Sequence, residues 1–140
     1  MGRRETREAA VQFAFSRDFK DKEDGPLTEE TVEAFISCFK DIPIEKVDNK
    51  YIFNVAKGIE DHQQEIDRLI ETHTENWAPD RMAKTDLAIL RVAIYEMLYV
   101  EDVPDSVSIN EAVELAKKYS HDDAGTFVNG ILGGIYRSIR

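Results

Sequence analysis

Between Leu87 and Leu98 the chain reads LAILRVAIYEML, apolar on nearly every side of a helical wheel. A surface helix shows one apolar stripe, whereas a helix that is apolar all round is stable only when other elements cover it. Residues 81–100 are therefore predicted to form the central helix of the fold, with the remaining elements wrapped around it. Arg91 and Glu96 are its polar exceptions. A buried arginine is costly unless paired, so Arg91 is expected to reach a partner or the surface along its long stem.

Helical periodicity governs the rest, and no strand-type alternation persists beyond four residues. A first helix is predicted from Arg4 to Phe19, with Ala10, Val11, Ala14 and Phe15 facing inward, and the charged turn Asp21–Pro26 ends it. Thr28 is placed to cap a second helix, whose Val32, Phe35, Ile36 and Phe39 follow i, i+3, i+4, i+7. Pro43 interrupts it. One long helix is predicted from Val47 to Thr72, with Gly58 inside it to permit close packing. Ser108 and Glu111 have the S-x-x-E spacing of a capping box. Asp122 or Asp123 is expected to cap a last helix whose Phe127, Val128, Ile131, Leu132, Ile135 and Ile139 face inward. The expectation is an all-α fold of about seven helices, with residues 1–140 as one domain. At this length a compact fold buries roughly 68–70% of its unfolded surface and needs no disulfide or metal to hold it.

Charge narrows the function. The net charge is −10, which taken alone argues against a nucleic-acid partner, but residues 1–20 hold five basic and three acidic side chains. A chain of this kind would meet RNA through one local patch while the rest of its surface repels it. Cys38, the single cysteine, cannot form an internal disulfide, which fits a reducing cytoplasm. Beside Phe35 and Phe39 it reads as a small buried hydrophobe. No apolar run approaches the ~18 residues a membrane span requires, and the N-terminus lacks the apolar stretch of a secretory signal. His62, His73 and His121 are scattered, so no metal site is expected. No P-loop, nucleophile elbow, zinc-protease or dinucleotide motif occurs, so neither a cofactor nor an enzymatic role is expected.

Two groups of residues stand out. Arg3, Arg4 and Arg7 begin the first helix, where cations oppose the macrodipole and stability alone would not favour them. Their guanidinium groups suit bidentate phosphate contact and base stacking, although a merely solubilising N-terminus explains them as well. Lys117, Lys118, Asp123, Phe127 and Asn129 form the second group. The lysines end a helix, where cations are favoured anyway. Phe127 reads either as core or as a partly exposed platform for an unpaired base, and Asn129 either as a base-edge reader or as a backbone cap.

Three segments, LAILRVAIYEMLY (87–99), VPDSVSINEAVELAKKYS (103–120) and FVNGIL (127–132), together with the opening RRETREAAVQFAF, resemble the NusB family of RNA-binding antitermination factors. The resemblance runs over almost the whole length and is strongest in residues 84–132. It implies two packed helical subdomains and binding to boxA RNA in ribosomal RNA leader transcripts. It also implies a complex with the ribosomal protein NusE that joins an RNA polymerase antitermination complex. By motif, Arg3, Arg4, Arg7, Lys117, Lys118, Asp123, Phe127 and Asn129 would form the RNA surface. Phe15, Asp86 and Asp123 would meet NusE, and Arg91 would brace the RNA surface. Phe15 stands where the family commonly has tyrosine, and Gly125 and Thr126 leave FVNG without an adjacent lysine. Two other readings stay open: a helical interaction adaptor without direct RNA binding, and a regulatory domain related to those of certain ribosomal RNA methyltransferases, disfavoured because no cofactor-binding domain follows Arg140. A homodimer is compatible with all of these readings.

Overall fold

A computed structural model describes residues 3–19, 27–38, 47–74, 82–120 and 123–139. Among these, seven helices and no strand are present: α1 (Arg3–Phe19), α2 (Glu29–Ile36), α3 (Asn49–Asp61), α4 (Gln63–Thr72), α5 (Lys84–Tyr99), α6 (Asp105–Tyr119) and α7 (Ala124–Ile139). The predicted turns at 21–26 and 41–43, and with them Phe39, His121 and Asp122, lie outside the described residues.

The apolar segment is the centre of the molecule. Helix α5 is buried from Asp86 to Met97, with only Tyr95 partly exposed. Helices α1–α3 pack on one another, with α1 and α3 also on α5; α6 and α7 pair and pack on α5 as well; α4 touches α3, α5 and α7. Two helical groups thus share one central helix and one continuous apolar core. Arg91 finds its partner inside this arrangement: its guanidinium donates two 2.9 Å hydrogen bonds to the Asp67 carboxylate on α4. It braces α4 against α5.

Local starts explain the boundaries. Thr28 caps α2 as expected, and Thr31 reciprocates. Asp48 accepts the Tyr51 N–H at the head of α3, while its own N–H donates to Thr6 Oγ1 on α1. The single helix expected over 47–72 is broken at His62 (φ −120°, ψ 21°). The break follows from packing on α5. The ring of Tyr95 lies across Gly58, and the His62 ring stacks on Tyr99 at 4.4 Å.

The capping box expected from Ser108 and Glu111 does not form. Pro104, with φ −60°, starts α6 a turn earlier, and its carbonyl accepts the N–H groups of Val107 and Ser108. Ser108 is consequently inside the helix and buried. Cys38 also departs from expectation: at the end of α2 it is exposed, and its thiol donates to the Ala34 carbonyl.

Candidate nucleic-acid interface

Two of the residues expected at the surface are inside. Arg7 follows the same inward face as Ala10, Val11 and Ala14, and its side chain is 4% exposed. Its Nε donates to both oxygens of Glu96 (2.9 and 3.1 Å), which is fully buried in α5 and also accepts from the Tyr51 hydroxyl. Arg7 is therefore a structural cation that ties α1 to α5, not a group open to phosphate. Asp86, expected to meet a protein partner, is likewise buried in the first turn of α5. There an acidic side chain complements the helix dipole. Neither residue offers an accessible surface, because the face on which each lies is the one that packs.

The other candidates are accessible. Arg4 is exposed on α1, Lys117 and Lys118 on the last turn of α6, and Asp123 and Asn129 at the start of α7. The Arg3 side chain lies outside the described residues. Phe127 is half-buried, packed against the core with part of its ring in solvent. The backbone carbonyl of Asp123 accepts the Phe127 N–H, which sets the register of α7. Phe15 is half-buried on α1. Arg4, Glu8 and Phe15 follow i, i+4, i+11 and so share one face of that helix.

The fold brings these cations together across great sequence distance. Arg4 donates through Nε and Nη2 to the Glu111 carboxylate on α6 at 2.9–3.2 Å. Lys118 donates to Glu8 on α1 at 2.7 Å, and the Tyr119 hydroxyl donates to the same oxygen. These pairs stitch α1 to α6 along a seam above α5. Lys117 meets Glu114 more loosely at 3.7 Å. A Cβ placed on Gly125 would lie 3.2 Å from the Lys117 stem, so the glycine admits that lysine over the first turn of α7. The hydrogen bond to Glu8 is the chief reason the Lys118 ammonium holds its proton above the ordinary lysine value. Burial, followed by the bond to Glu8, pushes the Tyr119 phenol upward.

Glu8, Glu111, Tyr119 and the Arg7–Glu96–Tyr51 group were missed from sequence. The Arg7–Glu96 group had a legible signal, because one cation on the apolar face of α1 and one acid in an all-apolar helix call for each other. The seam pairs had none, since nothing local places α1 beside α6.

One other described surface is acidic. At the α3–α4 elbow an open groove of about 1000 Å³ is lined by Glu60, Asp61, Glu65, Asp67 and Glu71. Arg68 lies in the same lining, and Glu60, Asp61 and Asp67 are paired with Arg17, Lys57 and Arg91, so the groove is acidic but largely compensated. Among the described residues no group of three or more His, Cys, Asp or Glu side chains is arranged to hold a metal, and no helix is long and apolar enough to cross a membrane.

The sequence and the helical fold of the described residues are matched by known proteins. The NusB family profile matches residues 4–137. The chain belongs to the NusB family. A transcription antitermination protein NusB of Acetivibrio thermocellus is 41% identical over 98% of this chain and 90% of its own length. That of Clostridium novyi is 38% identical over 99% of this chain and all of its own. Among solved structures, T. maritima NusB superposes with a TM-score of 0.79 at 32% identity, covering 96% of this chain and 90% of that one. A crystal structure of antitermination factors NusB and NusE in complex with dsRNA matches with a TM-score of 0.76 at 28% identity, covering 98% and 97%. The NusB resemblance, read over almost the whole length and strongest in residues 84–132, is borne out by these matches.

Proposed function

We propose that this chain is a transcription antitermination factor that binds boxA-type single-stranded RNA of ribosomal RNA leader transcripts together with the ribosomal protein NusE. It acts in the cytoplasm as one domain, within an RNA polymerase antitermination complex. The observation that carries this reading is the convergence of Arg4, Lys117 and Lys118 on accessible positions of α1 and α6, although Lys118 is 110 residues from its partner Glu8. Lys50, Lys57, Arg68, Lys84 and Arg137 are exposed elsewhere, but Arg4, Lys117 and Lys118 stand on adjoining stretches of α1 and α6, an arrangement that suits a polyanion in a chain of net charge −10. The first turns of α7 add Asp123, Asn129 and the half-exposed ring of Phe127, which suits stacking on a splayed base. Phe15, on the face of α1 shared with Arg4, and the exposed Asp123 are assigned to the NusE contact. The relative solved with NusE and RNA supports the pairing of the two ligands.

The experiment is fluorescence anisotropy with a boxA-type RNA oligonucleotide and a scrambled one of equal length, each with and without NusE. Tighter binding to the boxA-type RNA, strengthened by NusE, is expected. Equal binding to both, unaffected by NusE, removes the proposed function.

A further inference from the structure

The cations on the seam are already occupied by carboxylates, and the two kinds of group are anchored differently. Arg4 is 71% exposed while its partner Glu111 is 18% exposed. Lys118 is 59% exposed while its partner Glu8 is 13% exposed. In both pairs the acid is held in the seam and the cation lies out toward solvent. Each acid also belongs to the helix opposite its cation, so the pairs cross between α1 and α6 in both directions.

These pairs are not the sole ties that hold the two helices in the fold. Helices α1 and α6 are each seated on α5, and α1 is tied there by the buried Arg7–Glu96 bond. With each cation largely in solvent, such pairs contribute modestly to stability. Their chemistry is nevertheless that of the ligand: the fork of Arg4 grips two carboxylate oxygens as it would grip two phosphate oxygens. The raised proton affinity of Lys118 reports the same occupancy.

We propose that Glu8 and Glu111 are specificity-determining residues that act as built-in substitutes for phosphate on the free protein. The inference rests on the RNA-binding reading above. RNA engages the seam by exchange: a phosphate takes each cation only by displacing a carboxylate, which then stands beside the backbone and repels it. A strand that offers phosphate alone gains little from the exchange. A strand that also places bases on Phe127 and Asn129 gains enough to complete it. The carboxylates thereby suppress binding to arbitrary RNA more than binding to the preferred sequence, which suits a factor that must ignore most transcripts.

The test uses the full chain and the isosteric variants Glu8→Gln, Glu111→Gln and their combination. Each glutamine retains hydrogen bonding to its neighbours while losing the charge. Anisotropy with the boxA-type and scrambled oligonucleotides is read alongside thermal melting. The double variant is expected to bind the scrambled RNA about three- to tenfold more tightly, with a smaller gain for the boxA-type RNA. Its melting temperature stays near that of the parent. Releasing two cations should also steepen the log–log salt slope for scrambled RNA by roughly 1–1.5. Unchanged or weaker binding to scrambled RNA by both single variants overturns the proposal, and each single variant is read separately should the double one fold poorly. Arg4→Ala and Lys118→Ala separate the two levels. If they abolish binding while the glutamine variants change nothing, only the counter-ion role fails; if they too change nothing, the RNA site fails with it.

Discussion

Replacing Arg7 with methionine separates a structural cation from a binding one. The Arg7 side chain is 4% exposed, and it is the basic group that pairs with the fully buried Glu96. Removing it leaves the Glu96 carboxylate in the core with, among the described residues, the Tyr51 hydroxyl donating to it. Breaking a buried pair from one side costs about 3–5 kcal/mol. For a chain of this size, that lowers the melting temperature by roughly 10–20 °C. Urea unfolding followed by far-UV circular dichroism should show the midpoint falling with an unchanged slope. Combining Arg7→Met with Glu96→Leu and Tyr51→Phe removes every member of the polar group and should recover most of the loss, because apolar replacement of a buried ion pair is often neutral or stabilising. RNA affinity of the refolded triple variant should match the parent. A single Arg7→Met variant that melts within about 1 kcal/mol of the parent yet loses RNA binding would refute the structural assignment and return Arg7 to the binding surface.

Other consequences are tested as simply. A methyl group on Gly58 would sit 2.0 Å from the Tyr95 ring, whereas nothing lies within 4 Å of one on Gly130. Gly58→Ala should therefore destabilise by about 1–3 kcal/mol and Gly130→Ala should stabilise by up to about 1 kcal/mol; thermal melts of the opposite order would contradict the packing. Phe127→Ala should weaken RNA binding about 5- to 100-fold beyond any loss of folded protein, as stacking requires, and affinity that merely tracks the folded fraction would make the ring core only. Burial raises the phenols of Tyr95 and Tyr119. Raised folded values mean that this stability is fully present below the ordinary tyrosine range near ~10 and is lost as pH climbs through the folded values. Absorbance at 295 nm should accordingly show late phenolate formation in the native protein compared with the protein in urea, and coincident curves would count against that burial.

The fold was legible wherever one periodic pattern decided the outcome. Leu87–Leu98 could only be central, and Thr28 could be read as a cap from its neighbours alone. The reading failed where tertiary contact set the boundary. The break at His62 depends on Tyr95 and Tyr99 of α5, and the start of α6 depends on Pro104, not on the better-looking Ser108. The site divided in the same way. Exposed cations on α1 and α6 could be named from sequence, but which arginine turns inward is set by the Ala10–Val11–Ala14 face that Arg7 shares. Cys38 shows the limit of neighbour-based reasoning: flanking phenylalanines do not bury a residue that lies just beyond the end of α2.

The most direct measurement is the salt dependence of boxA-type RNA binding for the parent and for the Arg4→Ala, Lys117→Ala, Lys118→Ala triple variant. With three or four phosphates neutralised, the parent should show a log–log slope of roughly −2 to −3, and the variant a slope about 2 units shallower with much weaker binding. A flat response in the parent, or a triple variant that binds like the parent, would contradict RNA recognition by the α1–α6 seam.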